Sequence, residues 1–197
     1  PVKHPGYMTG HVFRKFAAEA GIAMPDPTRG TRPADARLLY THKSADLFRI
    51  AAKVNWFSNN MAAEMLGLGA ARELTRLPLG IRDSNLILST WWKSKISGID
   101  WKGLEIFNHS GLSTETRISA RQLVAILRYA DTRRYGQREY ERLLKPFYLG
   151  GRRGALPRFV HARAKTGTIN YSRAVAGYLT TAKKTRLIFA VFVSDYA

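Results

Sequence analysis

From Val160 onward the apolar residues change their period, and this change constrains the fold more than any other feature. Upstream they recur every three or four positions, as on one face of a helix; downstream they alternate, and β-forming residues dominate. The pattern predicts strands over residues 160–168, 172–180 and 186–194, with a turn at 182–185. It predicts helices over 9–19, from Ser44 to a break at 55–57, from Ser58 through Arg76, over 84–96, and from Ser119 to about Tyr129. In the first of these, Val12, Phe13, Phe16 and Ala17 form the core-facing stripe. Ser44 and Ser58 are read as helix caps, and Ser119-x-x-Gln122 as a capping box. Residues 99–107 read as extended, 108–113 as a turn, and 138–144 as a short helix stopped by Pro146. Helices followed by a meander predict an α/β layer of the α+β type, with helices packed on an antiparallel sheet.

Three strands alone leave two open edges, and residues 187–193 are almost entirely apolar. A strand of that composition usually lies inside a sheet, so further strands are expected from outside these 197 residues. The first residue is Pro1 and not Met, which agrees with an expectation of upstream sequence.

Composition removes several kinds of chemistry. There is no cysteine, hence no disulfide, thiol nucleophile or thiolate metal site. No apolar run approaches the roughly 20 residues that span a bilayer. His4, His11, His42, His109 and His161 lack metal-ligand spacing, and Gly67-x-Gly69 follows a helix where a phosphate loop would follow a strand. No cofactor is expected. The 32 Lys and Arg against 14 Asp and Glu give a net charge of +18, which is either a cationic solvated surface or one that attracts polyanions: nucleic acid, anionic lipid headgroups or acidic cell-wall polymers. The arginines are scattered through amphipathic segments, and the nearest approach to a basic run is residues 150–154.

Two short patterns carry chemistry. Ser58-Asn59-Asn60 matches S-x-N and Lys165-Thr166-Gly167 is a K-T-G; with Ser-x-x-Lys they mark penicillin-binding proteins and class A β-lactamases. Each triplet alone is weak. Longer stretches strengthen them: His42 to Leu47, then Asn55-Trp-Phe-Ser-Asn-Asn60 with Ala63-Glu64; Asn108-His-Ser-Gly-Leu-Ser113 with 118–123; and Lys165 to Thr168 followed by Ala176-Gly-Tyr-Leu-Thr180. In this order they resemble the DacB-like D-Ala-D-Ala carboxypeptidase and endopeptidase family of penicillin-binding proteins, from about Pro5 to Asp195.

The resemblance implies a β-lactamase/transpeptidase-like fold of which residues 1–197 are the C-terminal portion, supplying three sheet strands. It implies a serine-type peptidase that acts on peptidoglycan stem peptides outside the cytoplasmic membrane and is acylated by β-lactams. Ser58 would relay a proton to the leaving amine, Asn60 would hydrogen-bond the substrate backbone, and Lys165 would supply positive charge. Thr166 would bind the substrate carboxylate, Gly167 would keep the strand bare, and the Thr168 backbone N–H would be one oxyanion donor. One element departs from the pattern: the sequence contains no Ser-x-x-Lys, Thr90-Trp-Trp-Lys93 offering only a threonine. The expectation is that an upstream segment or a separate chain carries it. The rivals are a non-catalytic peptidoglycan-binding or regulatory relative, and a polyanion-binding module supported by charge alone. Nucleic acid is not among the expected partners. His109 and Ser110 are read as structural, shaping the cleft wall.

Overall fold

The computed structural model describes residues 3–148 and 161–195. It divides into two compact units, residues 1–44 and 45–197. In the first, α1 (Pro5–Glu19) begins four residues before the expected start, because Pro5 suits a helical first turn, where no N–H partner is needed. Arg14 holds the following segment, donating to the Met24 carbonyl at 3.0 Å and pairing with Asp26 at 3.0 Å. Of the expected core stripe only Ala17 is buried; Phe13 and Phe16 are each 62% exposed. A lone helix beside an irregular segment offers no second layer to cover them.

The second unit contains α2 (Leu47–Phe57), α3 (Asn60–Thr75), α4 (Ile81–Lys95) and α5 (Ala120–Asp131). A small hairpin, β1 (Arg134–Tyr135) and β2 (Arg138–Glu139), leads through a 3₁₀ turn at Tyr140–Leu143 to β3 (Lys145–Phe147). Then come β4 (His161–Ile169), β5 (Ser172–Thr180) and β6 (Arg186–Ser194). The main sheet is antiparallel with order β3-β4-β5-β6.

The three long strands fall where alternation placed them, although Val160 lies outside the described residues, as does the basic run at 150–154. The expected helix over 138–144 is replaced by β2 and the 3₁₀ turn: Gly136, at φ 66°, supplies a left-handed turn that folds Arg138 back onto Tyr135. Pro146 sits in β3, an edge strand that tolerates a missing donor. Residues 99–107 form no strand, only the bridge between Glu105 and Arg117. Asp46 caps α2 in place of Ser44, accepting from the Arg49 N–H at 2.9 Å. The break expected at 55–57 is the last turn of α2. The capping box of α5 forms as read, Ser119 and Gln122 each accepting the other's backbone N–H.

The core lies between α5 and the sheet. Leu127, Leu144 and Tyr178 are buried together, with Leu123, Tyr140, Ala176 and Ile188 around them. The Tyr178 hydroxyl donates to the Leu127 carbonyl at 2.7 Å, so even the polar end of this side chain is partnered. Gly177 is required here, since a Cβ would lie 2.0 Å from the Arg163 carbonyl oxygen. Residues facing one another across the ladder share a side of the sheet. Arg163, Lys165 and Gly167 of β4 therefore lie on the side of Tyr178, Ala176 and Ala174, which is the side α5 covers.

Candidate active site

Lys165 reaches out from β4 to the joint between α2 and α3. Its Nζ donates to Ser58 Oγ at 2.7 Å across 107 residues of sequence, and also to the Thr166 carbonyl. Its neighbours across the ladder on the same side of the sheet, Ala176 and Ala174, are small. Burial alone pushes the Lys165 ammonium below the ordinary lysine pKa of 10.5, and no carboxylate among the described residues pairs with it.

Ser58 is not the cap of α3. It is the left-handed residue that ends α2, at φ 51° and ψ 48°, and Asn59 caps α3 by accepting the Ala62 N–H at 2.9 Å. A non-glycine residue in this conformation is disfavoured by roughly 1–2 kcal/mol. Through this one residue the chain passes from α2 to α3, while a hydroxyl points at the lysine. Asn60 opens α3 two residues later; it is exposed, and no hydrogen bond joins its side chain to Lys165 or to Thr166–Thr168.

Thr166, Gly167 and Thr168 are all exposed. Strand alternation puts Thr166 and Thr168 on the opposite side from Lys165. A Cβ on Gly167 would meet only Ala174 Cβ, at an ordinary 3.9 Å, so packing within this chain does not demand glycine there. Strand β3 pairs with β4 only at Ala162, Arg163 and Ala164. From Lys165 onward, therefore, the outer edge of β4 has no partner strand among the described residues. An extended peptide adds to such an edge by backbone hydrogen bonds.

The turn at 108–113 is fastened to α3 and α4. Glu64 accepts the His109 N–H through Oε2 and the Ser110 N–H through Oε1, each at 3.0 Å. The His109 ring occupies the space a Cβ on Gly67 would need, at 2.0 Å, and its Nε2 lies 2.8 Å from the buried Ser84 Oγ. Ser84 Oγ is also 2.7 Å from the Ile81 carbonyl, which takes its single proton, so His109 Nε2 carries the hydrogen of the second bond. Burial lowers the His109 pKa against a smaller opposing effect of Glu64. Burial would raise the Glu64 pKa, yet hydrogen bonds from Ser110 and His109 hold it below the usual carboxylate value. His109 and Ser110 thus bond to Ser84 and Glu64, and no hydrogen bond joins the two to each other. Sequence reasoning assigned Glu64, Gly67 and Ser84 no role. The spacing Asn60, Glu64, Gly67 and a glycine inside a helix, unfavourable by about 1 kcal/mol relative to alanine, were the available signals.

Residues 1–197 match the D-Ala-D-Ala carboxypeptidase 3 (S13) family of peptidases. The chain belongs to that family. It is 31% identical over 192 residues to a D-alanyl-D-alanine carboxypeptidase of Actinomadura sp., which covers 90% of this chain and 35% of the relative. A carboxypeptidase of Mycobacterium tuberculosis is 29% identical over 195 residues, covering 93% of this chain and 41% of its own length. The chain thus spans well under half of these relatives. Among solved structures, penicillin binding protein 4 of Haemophilus influenzae, crystallised with a β-lactam, superposes with a TM-score of 0.70 at 20% identity. That match covers 96% of this chain and 44% of the other, and it shows the fold: helices packed on an antiparallel sheet, as the resemblance implied.

Proposed function

We propose that this chain is the part of a serine D-Ala-D-Ala carboxypeptidase that carries two of its three catalytic motifs, and that the nucleophile comes from a segment outside residues 1–197. The observation that carries the reading is the 2.7 Å bond from Lys165 to Ser58 in a member of the S13 family. An ammonium whose pKa burial lowers, with no carboxylate partner among the described residues, raises the electrostatic potential around the Ser58 hydroxyl, which suits that hydroxyl to proton transfer.

In the proposed reaction the incoming serine attacks the carbonyl between two terminal D-alanines and forms an acyl-enzyme as the C–N bond breaks, while Ser58 passes a proton to the departing amine nitrogen and takes up the one that the attacking serine gives up. Water then attacks the ester and releases the shortened peptide; the same acyl-enzyme formed across a cross-link would give endopeptidase activity. The free edge of β4 receives the peptide as an added strand. Asn60 orients its backbone, Thr166 binds its carboxylate, and the Thr168 N–H is one oxyanion donor. The substrate class is the peptidoglycan stem peptide, the site of action is outside the cytoplasmic membrane, and β-lactams acylate the same serine. The +18 charge fits a surface surrounded by anionic envelope polymers.

A fluorescent penicillin tests the assignment. The full-length protein should be labelled covalently and residues 1–197 alone should not. Absence of labelling in the full-length protein would favour the non-catalytic relative that keeps the cleft without a nucleophile. Labelling of residues 1–197 alone would overturn the account of the missing serine.

A further inference from the structure

We propose that Glu64 is a positioning residue for Asn60: it welds the turn at 108–111 to the face of α3 that presents Asn60 to substrate. The proposal rests on the peptidase reading above. Asn60, Glu64 and Gly67 stand at i, i+4 and i+7 of α3 and so form one stripe along the helix. The turn lies on that stripe. Its His109 and Ser110 N–H groups meet the two oxygens of one carboxylate, and the His109 ring closes over the bare Gly67.

Two charge-assisted bonds to one carboxylate fix its rotation as well as its distance. They engage both oxygens, so one side chain grips two successive backbone N–H groups of the turn. The segment needs such a clamp. Between α4 and α5 there is no helix or strand; besides local bonds such as Phe107 N–H to Thr116 Oγ1, the segment is held by the bridge of Glu105 with Arg117, the two bonds from the Gln122 amide to the Asp100 and Lys102 carbonyls, and the contacts to α3 and α4. At the α4 side the buried Ser84 holds His109. At the tip, Asn108 Oδ1 accepts the Gly111 N–H at 3.1 Å and keeps the turn closed. Freed from Glu64, the turn would be held by its Ser84 anchor on the α4 side, and the face of α3 one turn along from Asn60 would lose its fixed cover.

The test uses the full-length protein with Glu64→Gln, Asn60→Ala and the two combined. It measures the second-order rate of acylation by a fluorescent penicillin and amide hydrogen exchange at residues 109 and 110. Glu64→Gln replaces one acceptor by a donor facing an N–H. It should speed exchange at Ser110 and slow acylation about 10- to 100-fold, the scale of a small misplacement of a binding group. In the Asn60→Ala background the same change should slow acylation by less than about 2-fold, because residues that act through one another are not additive. Should Glu64→Gln fail to fold, Ser84→Ala removes the other anchor and should show the same loss of additivity. Equal slowing in both backgrounds, or unchanged exchange, overturns the positioning role alone. A wild-type protein that is never acylated overturns the peptidase reading, and this role with it.

Discussion

The seam between α5 and the sheet and the seam between the α2–α3 joint and β4 are built on opposite terms. In the first, Leu127, Leu144 and Tyr178 are 6%, 3% and 2% exposed, and the tyrosine hydroxyl has its partner. Arg186 stacks on the same ring at 4.9 Å and pairs with Asp131 at 2.6 Å and Glu141 at 2.9 Å. Propensity and burial agree there, and the buried Asp131 Oδ1, which accepts no hydrogen bond, is compensated by its ion pair with Arg186. In the second, an exposed serine occupies left-handed backbone and a half-buried lysine has no carboxylate partner among the described residues. Conflicts of that kind persist where the surrounding structure enforces them, and they gather at functional sites. The fold is held at the first seam, and the second is the candidate site.

The comparison breaks first at the core. Gly177→Ala would force a Cβ to 2.0 Å from the Arg163 carbonyl oxygen and 2.7 Å from Ala164 Cα, backbone atoms that cannot rotate away. A loss of about 3 kcal/mol or more is expected, readable as a shift of the urea midpoint in the full-length protein. A loss below about 1 kcal/mol would show that the β4–β5 pairing, on whose other side Tyr178 and Ala176 meet α5, yields easily, and that the seam mounted on it is not the rigid one. Ser58→Gly sharpens the other side. It relieves the left-handed backbone and removes the hydroxyl, so stability should rise by about 1 kcal/mol. Acylation should meanwhile fall about 100-fold, the low end of what a proton-transferring group contributes. If stability fell together with acylation, the serine would be a fastener like Tyr178.

The core seam was legible in the sequence because it follows periodicity. Alternation located β4, β5 and β6, and Ser119 with Gln122 announced α5. Much less of the path between α5 and β4 could be read. Tyr140, Leu143 and Leu144 have helical spacing, but Gly136 turns the chain and the segment is used as a hairpin, a 3₁₀ turn and an edge strand. At the site, the residue types were legible from the two triplets, and the pairing of Lys165 with Ser58 followed from the family resemblance. The left-handed backbone of Ser58 was not legible, since Asn59 is as good a cap as serine and a one-residue shift of the helix start is invisible in periodicity. Nor was the Glu64 clamp, whose partners are backbone N–H groups that carry no sequence signature.

The most direct test of the account is the rate of acylation of the full-length protein as a function of pH, with and without Lys165→Ala. Because burial depresses the Lys165 pKa, the wild-type rate should decline on an alkaline limb centred below 10.5. Between the lowered value and 10.5 the unfolded chain binds more protons than the folded one, so this lysine makes folding more favourable as pH rises and does not itself unfold the protein on that limb. Lys165→Ala should lower the rate at neutral pH by about 100-fold or more and abolish the limb, with the melting temperature little changed. A variant that is acylated at the wild-type rate, or one whose rate falls only as far as its folded fraction does, would contradict the claim that Lys165 and Ser58 form the working site.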